Sequence, residues 1–301
     1  MNSNLPNFLI VGAAKSGTSS LHNYLNQHPE VFMPSYNEMG MKVKEPRFLI
    51  KDLVQHRLNY GIWEFKEYQD LFVNSHKYKA VGEATVLYLY YYQHTIQNIK
   101  YYIGDDVKII IMLRNPIERA YSAYLFASRT YQENKTFEEA LTYSSERYKK
   151  DDTLSPMILY KELGMYYKMV KAYIDNFKDV HIVLYDDFVL QTGIEVQRVF
   201  KFLNVCEVNN IDTSKVINAG GKQWDSSTMK SLLMKEGLFK KFSRALIPEH
   251  IRAEIKTFLI DVFTSRADEI NAATREELIR YYKQDIKSLE RLINKDLSKW
   301  M

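Results

Sequence analysis

Lys15 stands in a run of small residues, Gly12-Ala13-Ala14-Lys15-Ser16-Gly17-Thr18-Ser19-Ser20, between an apolar segment and a segment that reads as a helix. Small side chains let backbone N–H groups come close to a ligand. A helix start aims its free N–H groups and its dipole at the same spot, so the stretch suits phosphate or sulfate. Lys15 adds a mobile positive charge. A strand-to-helix turn with no ligand is the plainer reading, but an anion site accounts for more of the residues. Gly12 and Gly17 imitate the glycines of the triphosphate-binding loop G-x-x-x-x-G-K-[ST], yet the lysine precedes Gly17 and Thr18 fills the lysine position.

Two more chemically capable groups fall at predicted strand ends. Glu83 closes Lys79-Ala80-Val81-Gly82-Glu83. Arg114 follows the β-branched run 107–113, VKIIIML, with Ser122 on the helix that comes next. Ligands of open α/β sheets bind beyond the carboxyl ends of the strands, which is where these groups are expected.

The elements that must hold them alternate. Phe8 to Val11 reads as a buried strand, followed by a helix with Leu21 and Leu25 inward that stops at Gln27-His28-Pro29. VFMPS offers a short strand or turn, and the charge-dense Lys42 to Phe48, which runs into apolar Leu49 and Ile50, has a solvated loop as its plainer reading. The tyrosine-rich stretch after Glu83 reads as helix packing, with an acceptor-binding aromatic wall as the other reading. Asn115-Pro116 opens a helix, and Thr136 with Glu139 forms a capping box. A helix is predicted from Leu159 to Phe177 with Leu163, Tyr167, Val170, Ile174 and Phe177 on one stripe, and a strand from Val180 to Tyr185. Thr192 with Glu195 is predicted to cap a helix that turns Val196, Val199, Phe200 and Leu203 inward. Asn218 to Trp224 reads as a Gly-containing loop, either a lid bringing Lys222 to the anion site or a plain connector. The last third is expected to be helical, ending in a helix marked by Leu278, Tyr282, Ile286, Leu289 and Ile293. Strands alternating with helices argue for a parallel sheet covered on both faces.

The chain of 301 residues shows no linker, repeat or low-complexity tract, so one domain over 1–301 is expected. Lys plus Arg (41) exceed Asp plus Glu (37) by too little to create the field of a nucleic-acid binder. The single cysteine, Cys206, excludes an internal disulfide and receives no function. The N-terminus runs almost at once into the first strand, and no apolar run reaches the roughly 18 to 20 residues of a membrane span. A soluble, cytoplasmic protein is the expectation.

Taken in order, these stretches resemble the sulfotransferases that use 3′-phosphoadenosine 5′-phosphosulfate (PAPS), in the branch holding heparan sulfate sulfotransferases and bacterial relatives. VGAAKSGTSSL is similar to the family's 5′-phosphosulfate loop, and LRNPIERAYSAY to its 3′-phosphate motif, with Arg114 and Ser122 at the binding positions. KEPRFL resembles the Lys-Glu-Pro-His-Phe-Phe stretch, VGEAT the strand end with the catalytic glutamate, and FKFLNV and the terminal LSKW match family habits. The departures are Arg47 in place of histidine and Ala84 in place of a lysine that helps hold carbohydrate acceptors. The resemblance implies an α/β fold, P-loop-like and three-layered α/β/α, with a central parallel sheet flanked by helices.

Sulfuryl transfer to a hydroxyl or amine is an in-line displacement that needs charge stabilisation on the departing phosphate, positioning, and removal of the acceptor proton. Lys15, Ser16, Gly17, Thr18, Ser19 and Ser20 would cradle the phosphosulfate of PAPS, and Arg114 and Ser122 would grip its 3′-phosphate, leaving adenosine 3′,5′-bisphosphate (PAP) as product. Glu83 is expected to act as general base, a role worth about two to four powers of ten. The family match implies that Lys44 steadies the transferring group, and Lys222 is a candidate late-arriving cation. No metal is required: the triphosphate-loop lysine is displaced, Arg114 stands where a magnesium-holding aspartate would be expected, and the histidines, His22 and His181 among them, read as structural. A P-loop-type small-molecule kinase and a non-catalytic PAP-binding protein are the other readings. The expected acceptor is a carbohydrate or a small natural product, with a lean toward small or modestly charged molecules.

Overall fold

The computed structural model describes residues 5–34, 44–130, 133–214, 220–226 and 262–301. Five parallel strands form the central sheet in the order β2-β3-β1-β4-β5. They are β1 (Phe8–Gly12), β2 (Val31–Phe32), β3 (Ala80–Ala84), β4 (Lys108–Leu113) and β5 (Val180–Leu184). The chain leaves β1 toward β2 and β3 on one side, then crosses to β4 and β5 on the other. The order therefore switches at β1, and the carboxyl ends of β3, β1 and β4 lie side by side.

Strand periodicity divides the core into two layers. Phe8, Ile10, Ile110 and Met112 face one layer, while Leu9, Val11, Ile109, Ile111 and Leu113 face the other. The first is covered by α1 (Thr18–Leu25), α8 (Tyr185–Leu190) and α9 (Thr192–Leu203). The second is covered by α4 (Tyr92–Tyr102), α5 (Pro116–Arg129), α6 (Phe137–Lys150), α7 (Tyr166–Asn176) and the long C-terminal α10 (Ala272–Ile293). Two short helices, α2 (Lys51–Val54) and α3 (Phe65–Asp70), precede β3, and a small antiparallel pair, β6 (Lys222–Trp224) with β7 (Thr264–Arg266), lies beside α5. The sheet with helices on both faces is the expected three-layer α/β/α arrangement.

The capping box at Thr136 forms as expected, with Thr136 Oγ1 and the Glu139 carboxylate each accepting the other's backbone N–H. Thr192 and Glu195 do not form one. α8 runs almost directly into α9, so Thr192 lies inside the helical path, where its hydroxyl donates to Phe188 O at 2.8 Å. Gln191 is the N-cap, and Glu195 binds Arg198 instead. The helix expected from Leu159 is also shorter. Two 3₁₀ turns, Pro156–Ile158 and Glu162–Gly164, occupy that stretch, and α7 begins only where Asp285 of α10 accepts the Tyr167 N–H at 3.1 Å. Its inward residues are Tyr166, Met169, Val170 and Tyr173. In the 218–224 segment, Asn218 and Ala219 fall outside the described residues, while Lys222 to Trp224 form a strand. Trp224 Nε1 donates to Arg129 O at 3.1 Å and ties that strand to α5.

Gly82 on β3 pairs with Phe8 on β1, and a methyl group there would run into the Phe8 ring. Because both strands are central, the overlap has nowhere to relax, and overpacking of this kind costs about 1–3 kcal/mol. Gly82→Ala is therefore expected to lower the urea midpoint by that amount of stability. An unchanged midpoint would show that the β1–β3 contact is looser than its geometry.

Candidate active site

The turn after β1 is built to leave its N–H groups toward the sheet's carboxyl edge. Ala13 N donates to Met112 O at 2.6 Å, which anchors the turn to β4. Gly17 is the N-cap of α1 with φ 87°, a left-handed conformation, and a Cβ there would lie 3.2 Å from the Tyr185 ring. Only glycine meets both conditions without strain. Lys15 also adopts a positive φ of 69°, uncommon for a residue with a side chain. Ser16, Thr18 and Ser20 are buried, and Thr18, Ser19 and Ser20 make up the first turn of α1.

Cations converge on this turn. The Lys15 ammonium sits 4.5 Å from the Phe126 ring centre. Burial, followed by the nearby Arg129, Arg114 and Arg119, pushes its pKa down to about 8, while Glu45 pulls the other way. The Arg114 guanidinium stacks 4.6 Å over Tyr185 and donates to Lys15 O at 3.3 Å, so the residue after β4 also braces the loop after β1. Arg119 is fully buried on α5, with Tyr160 O as acceptor. Among the described residues, Lys15, Arg114 and Arg119 form no ion pair with a carboxylate. One turn of α5 beyond Arg119 is Ser122, also buried, and Gly220 comes so close that a Cβ would lie 3.1 Å from Ser122 Oγ. The segment carrying half-buried Lys222 therefore lies against the Arg114/Ser122 side.

The carboxylates are two, and sequence reading singled out only one. Glu83 is 0% exposed. Thr85 Oγ1 donates to it at 2.9 Å and Tyr68 OH at 3.2 Å, with the Tyr88 hydroxyl beside them. Burial raises its pKa to about 7 against the opposing pull of these hydroxyls. Glu45 is the second, with its side chain 18% exposed and held by Lys44 Nζ at 3.4 Å and Arg47 Nη2 at 3.6 Å. It acts electrostatically on both Lys15 and Glu83.

The Lys44–Arg47 stretch is not the solvated loop expected. Arg47 is buried with φ 62°, stacked 4.1 Å from the Tyr60 ring, and Nη1 donates to Tyr60 O at 2.8 Å. Its backbone N–H donates to Thr85 Oγ1 at 3.3 Å, and Thr85 donates onward to Glu83. Ala84, at the other departure from the family pattern, is fully buried in the core. The tyrosine-rich stretch divides: Tyr88 is core, whereas Tyr90, Tyr91 and Tyr92 are half-buried and line a groove with Glu162 and Met165. His181 is packing, stacked 5.1 Å from Phe202.

The structure thus gathers Lys15, Arg114 and the unexpected Arg119, Arg129 and Glu45 at one edge, with Lys44 joined through Glu45. Arg119 and Arg129 carried a readable signal: they share a helix with Ser122 and interrupt its small and apolar residues. Glu45 carried a weaker one, its place beside Lys44.

Residues 5–259 match the family described as the sulfotransferase domain. The chain is 25% identical, over 331 aligned positions, to the membrane-associated sulfotransferase kil1 of Dictyostelium discoideum, covering 98% of this chain and 66% of that protein. It is 23% identical over 249 positions to carbohydrate sulfotransferase 15 of Mus musculus, covering 67% of this chain and 44% of that one. The chain therefore spans less than two thirds of the length of these relatives. Among the described residues no helix is long and apolar enough to cross a membrane. A crystal structure of a sulfotransferase from Alicyclobacillus acidocaldarius superposes with a TM-score of 0.71 at 29% identity over 98% of both chains. With the family match covering most of its length and the same fold recurring in a bacterial relative, the chain belongs to the sulfotransferase-domain family.

Proposed function

We propose that the chain transfers a sulfuryl group from PAPS to a hydroxyl or amine of a carbohydrate or small natural product. The observation that carries this reading is the set of cations, half-buried Lys15 and Arg114 with fully buried Arg119, gathered at a helix start without carboxylate partners among the described residues. Buried positive charge is costly unless compensated, and a ligand with phosphates at two ends supplies that compensation. The 5′-phosphosulfate would lie on the loop from Lys15 to Ser20. The 3′-phosphate would lie at Arg114 and Ser122, with Lys222 nearby.

In this scheme the acceptor oxygen or nitrogen attacks sulfur in line with the bridging oxygen. The new bond to sulfur forms as the bridging S–O bond breaks, and PAP departs with the electron pair. Lys15 and the loop N–H groups take up the charge that builds on the departing phosphate. Lys44 would balance the sulfuryl oxygens.

The proton must go to a group within hydrogen-bond reach of the acceptor. Glu83, expected in that role, is sealed from solvent by Tyr68, Thr85 and Tyr88. Glu45 keeps partial access to solvent, acts electrostatically on Lys15 and is oriented by Lys44 and Arg47, so the reading assigns proton removal to Glu45. Glu83 holds Thr85, Thr85 holds the Arg47 backbone, and the turn that carries Glu45 is fixed as a result.

Mass spectrometry of the full chain with PAPS and an acceptor panel tests this. Wild type is expected to release PAP and to make one acceptor heavier by one sulfuryl group. Glu45→Gln should lose about 10²–10⁴ of turnover with PAP affinity kept, and Glu83→Gln less than about tenfold. A larger loss at Glu83 would return the base to that residue, and a wild type that neither binds PAP nor forms product would remove the donor reading.

Glu83 also gives a stability signature. Its folded pKa of about 7 lies above the ordinary 4.5, so the native state holds the extra proton between those values. Stability from this group is therefore highest at low pH and falls as pH rises from about 4.5 through about 7. Denaturant titrations are expected to show Glu83→Gln with a shallower decline than wild type over that window. Parallel profiles would mean that Glu83 ionises normally.

A further inference from the structure

Tyr166 is the first residue of α7 and is fully buried, yet its hydroxyl is not spent on the core. The phenolic oxygen faces two groups: the side chain of Ser16 in the loop after β1, and the backbone N–H of Arg114 at the end of β4. No aligned hydrogen bond closes on it, and Ser16 Oγ is likewise buried without a partner. Arg119 and Arg114 hold the surroundings positive, while burial, the largest influence, pushes the phenol up to about 12, so it remains a neutral hydroxyl.

Buried hydroxyls are rarely left unbonded, and those at working sites often tighten only when the site is filled. Ser16 belongs to the phosphosulfate side of the donor pocket and Arg114 to the 3′-phosphate side. Tyr166 is thus a side chain whose single polar atom addresses both.

Its own position is set from the far end of the chain. Asp285 of α10 accepts the Tyr167 N–H and is also a backbone partner of Tyr166, fixing the start of α7. The Trp300 ring meets the Tyr166 ring edge-on at 6.4 Å, and Trp300 Nε1 donates to Asp186 Oδ2 at 3.2 Å, beside the Tyr185 on which Arg114 stacks.

We propose that Tyr166 is a positioning residue that joins the two phosphate ends of the donor pocket, its hydroxyl orienting Ser16 against Arg114 under the packing of α10 and Trp300. This rests on the PAPS reading for its ligand, but not for its mechanics. Removing the hydroxyl should loosen the loop and weaken donor binding through Ser16, with little effect on global stability.

The test is a double-mutant cycle in the full chain with Tyr166→Phe, Ser16→Ala and both together. Calorimetry with PAP and hydrogen–deuterium exchange without nucleotide are the readouts. Tyr166→Phe is expected to weaken PAP binding about three- to tenfold, to leave Tm within about 2 °C, and to have no further effect in the Ser16→Ala background. It should also speed amide exchange in residues 13–18. Unchanged PAP affinity, or losses that multiply in the double variant, would overturn the link through Ser16. Unchanged exchange in the loop would overturn the positioning role itself, whatever happens to Tm. If wild type fails to bind PAP while loop exchange still responds to Tyr166→Phe, the positioning role stands and the donor reading falls.

Discussion

Like charges held in one place repel, and the carboxyl edge of β1 and β4 is organised around that repulsion. Arg129, Arg114 and Arg119 lie within electrostatic reach of Lys15, and burial first, then these neighbours, brings the lysine's pKa down to about 8. Such a cluster persists only where the surrounding structure over-determines it. The parallel sheet provides this by placing the ends of adjacent strands side by side, so that Arg114 can brace the backbone of Lys15 directly. The aromatic rings of Tyr185 and Phe126 take the cation faces that water would otherwise solvate. The result is a fixed cluster of positive charge, which the proposed function reads as the seat of a multiply charged anion.

The two carboxylates show how environment sets identical chemical groups apart. Glu83, sealed among hydroxyls, takes on a pKa near 7 and accepts hydrogen bonds from Thr85 and Tyr68. Glu45, two residues from Arg47 and next to Lys44, keeps partial access to solvent and acts electrostatically on the loop cation. Arg47, which departs from the family pattern, spends its guanidinium on Tyr60 and Glu45, so its positive charge shapes the turn.

Much of this was legible in the sequence because it depends on local pattern. The continuous β-branched run before Arg114, the spacing to Ser122 and the small residues around Lys15 located the sheet edge and the turn into α1. The burial of Glu83 was not legible, because a strand-end carboxylate looks accessible until Tyr68 and Tyr88, distant in sequence or brought back by a turn, close over it. Thr192 and Glu195 had capping spacing but lost the role to the helix running in from α8. The stripe from Leu159 mistook two 3₁₀ turns for helix, since α7 starts where a residue from α10, more than a hundred positions later, caps it. Tyr166 carried no local signal, as its partners come from three other elements.

The central claim is that the cation cluster is a pocket for a nucleotide bearing phosphate at both the 5′ and 3′ positions. Calorimetric titration at fixed salt with PAP and with adenosine 5′-monophosphate, on wild type and on Arg114→Ala, tests it most directly because the ligands differ only in the 3′-phosphate. A two-ended pocket predicts that wild type binds PAP at least about tenfold more tightly and that Arg114→Ala abolishes this preference while sparing the monophosphate. Equal binding of the two ligands by wild type, or equal losses on both in the variant, would contradict it.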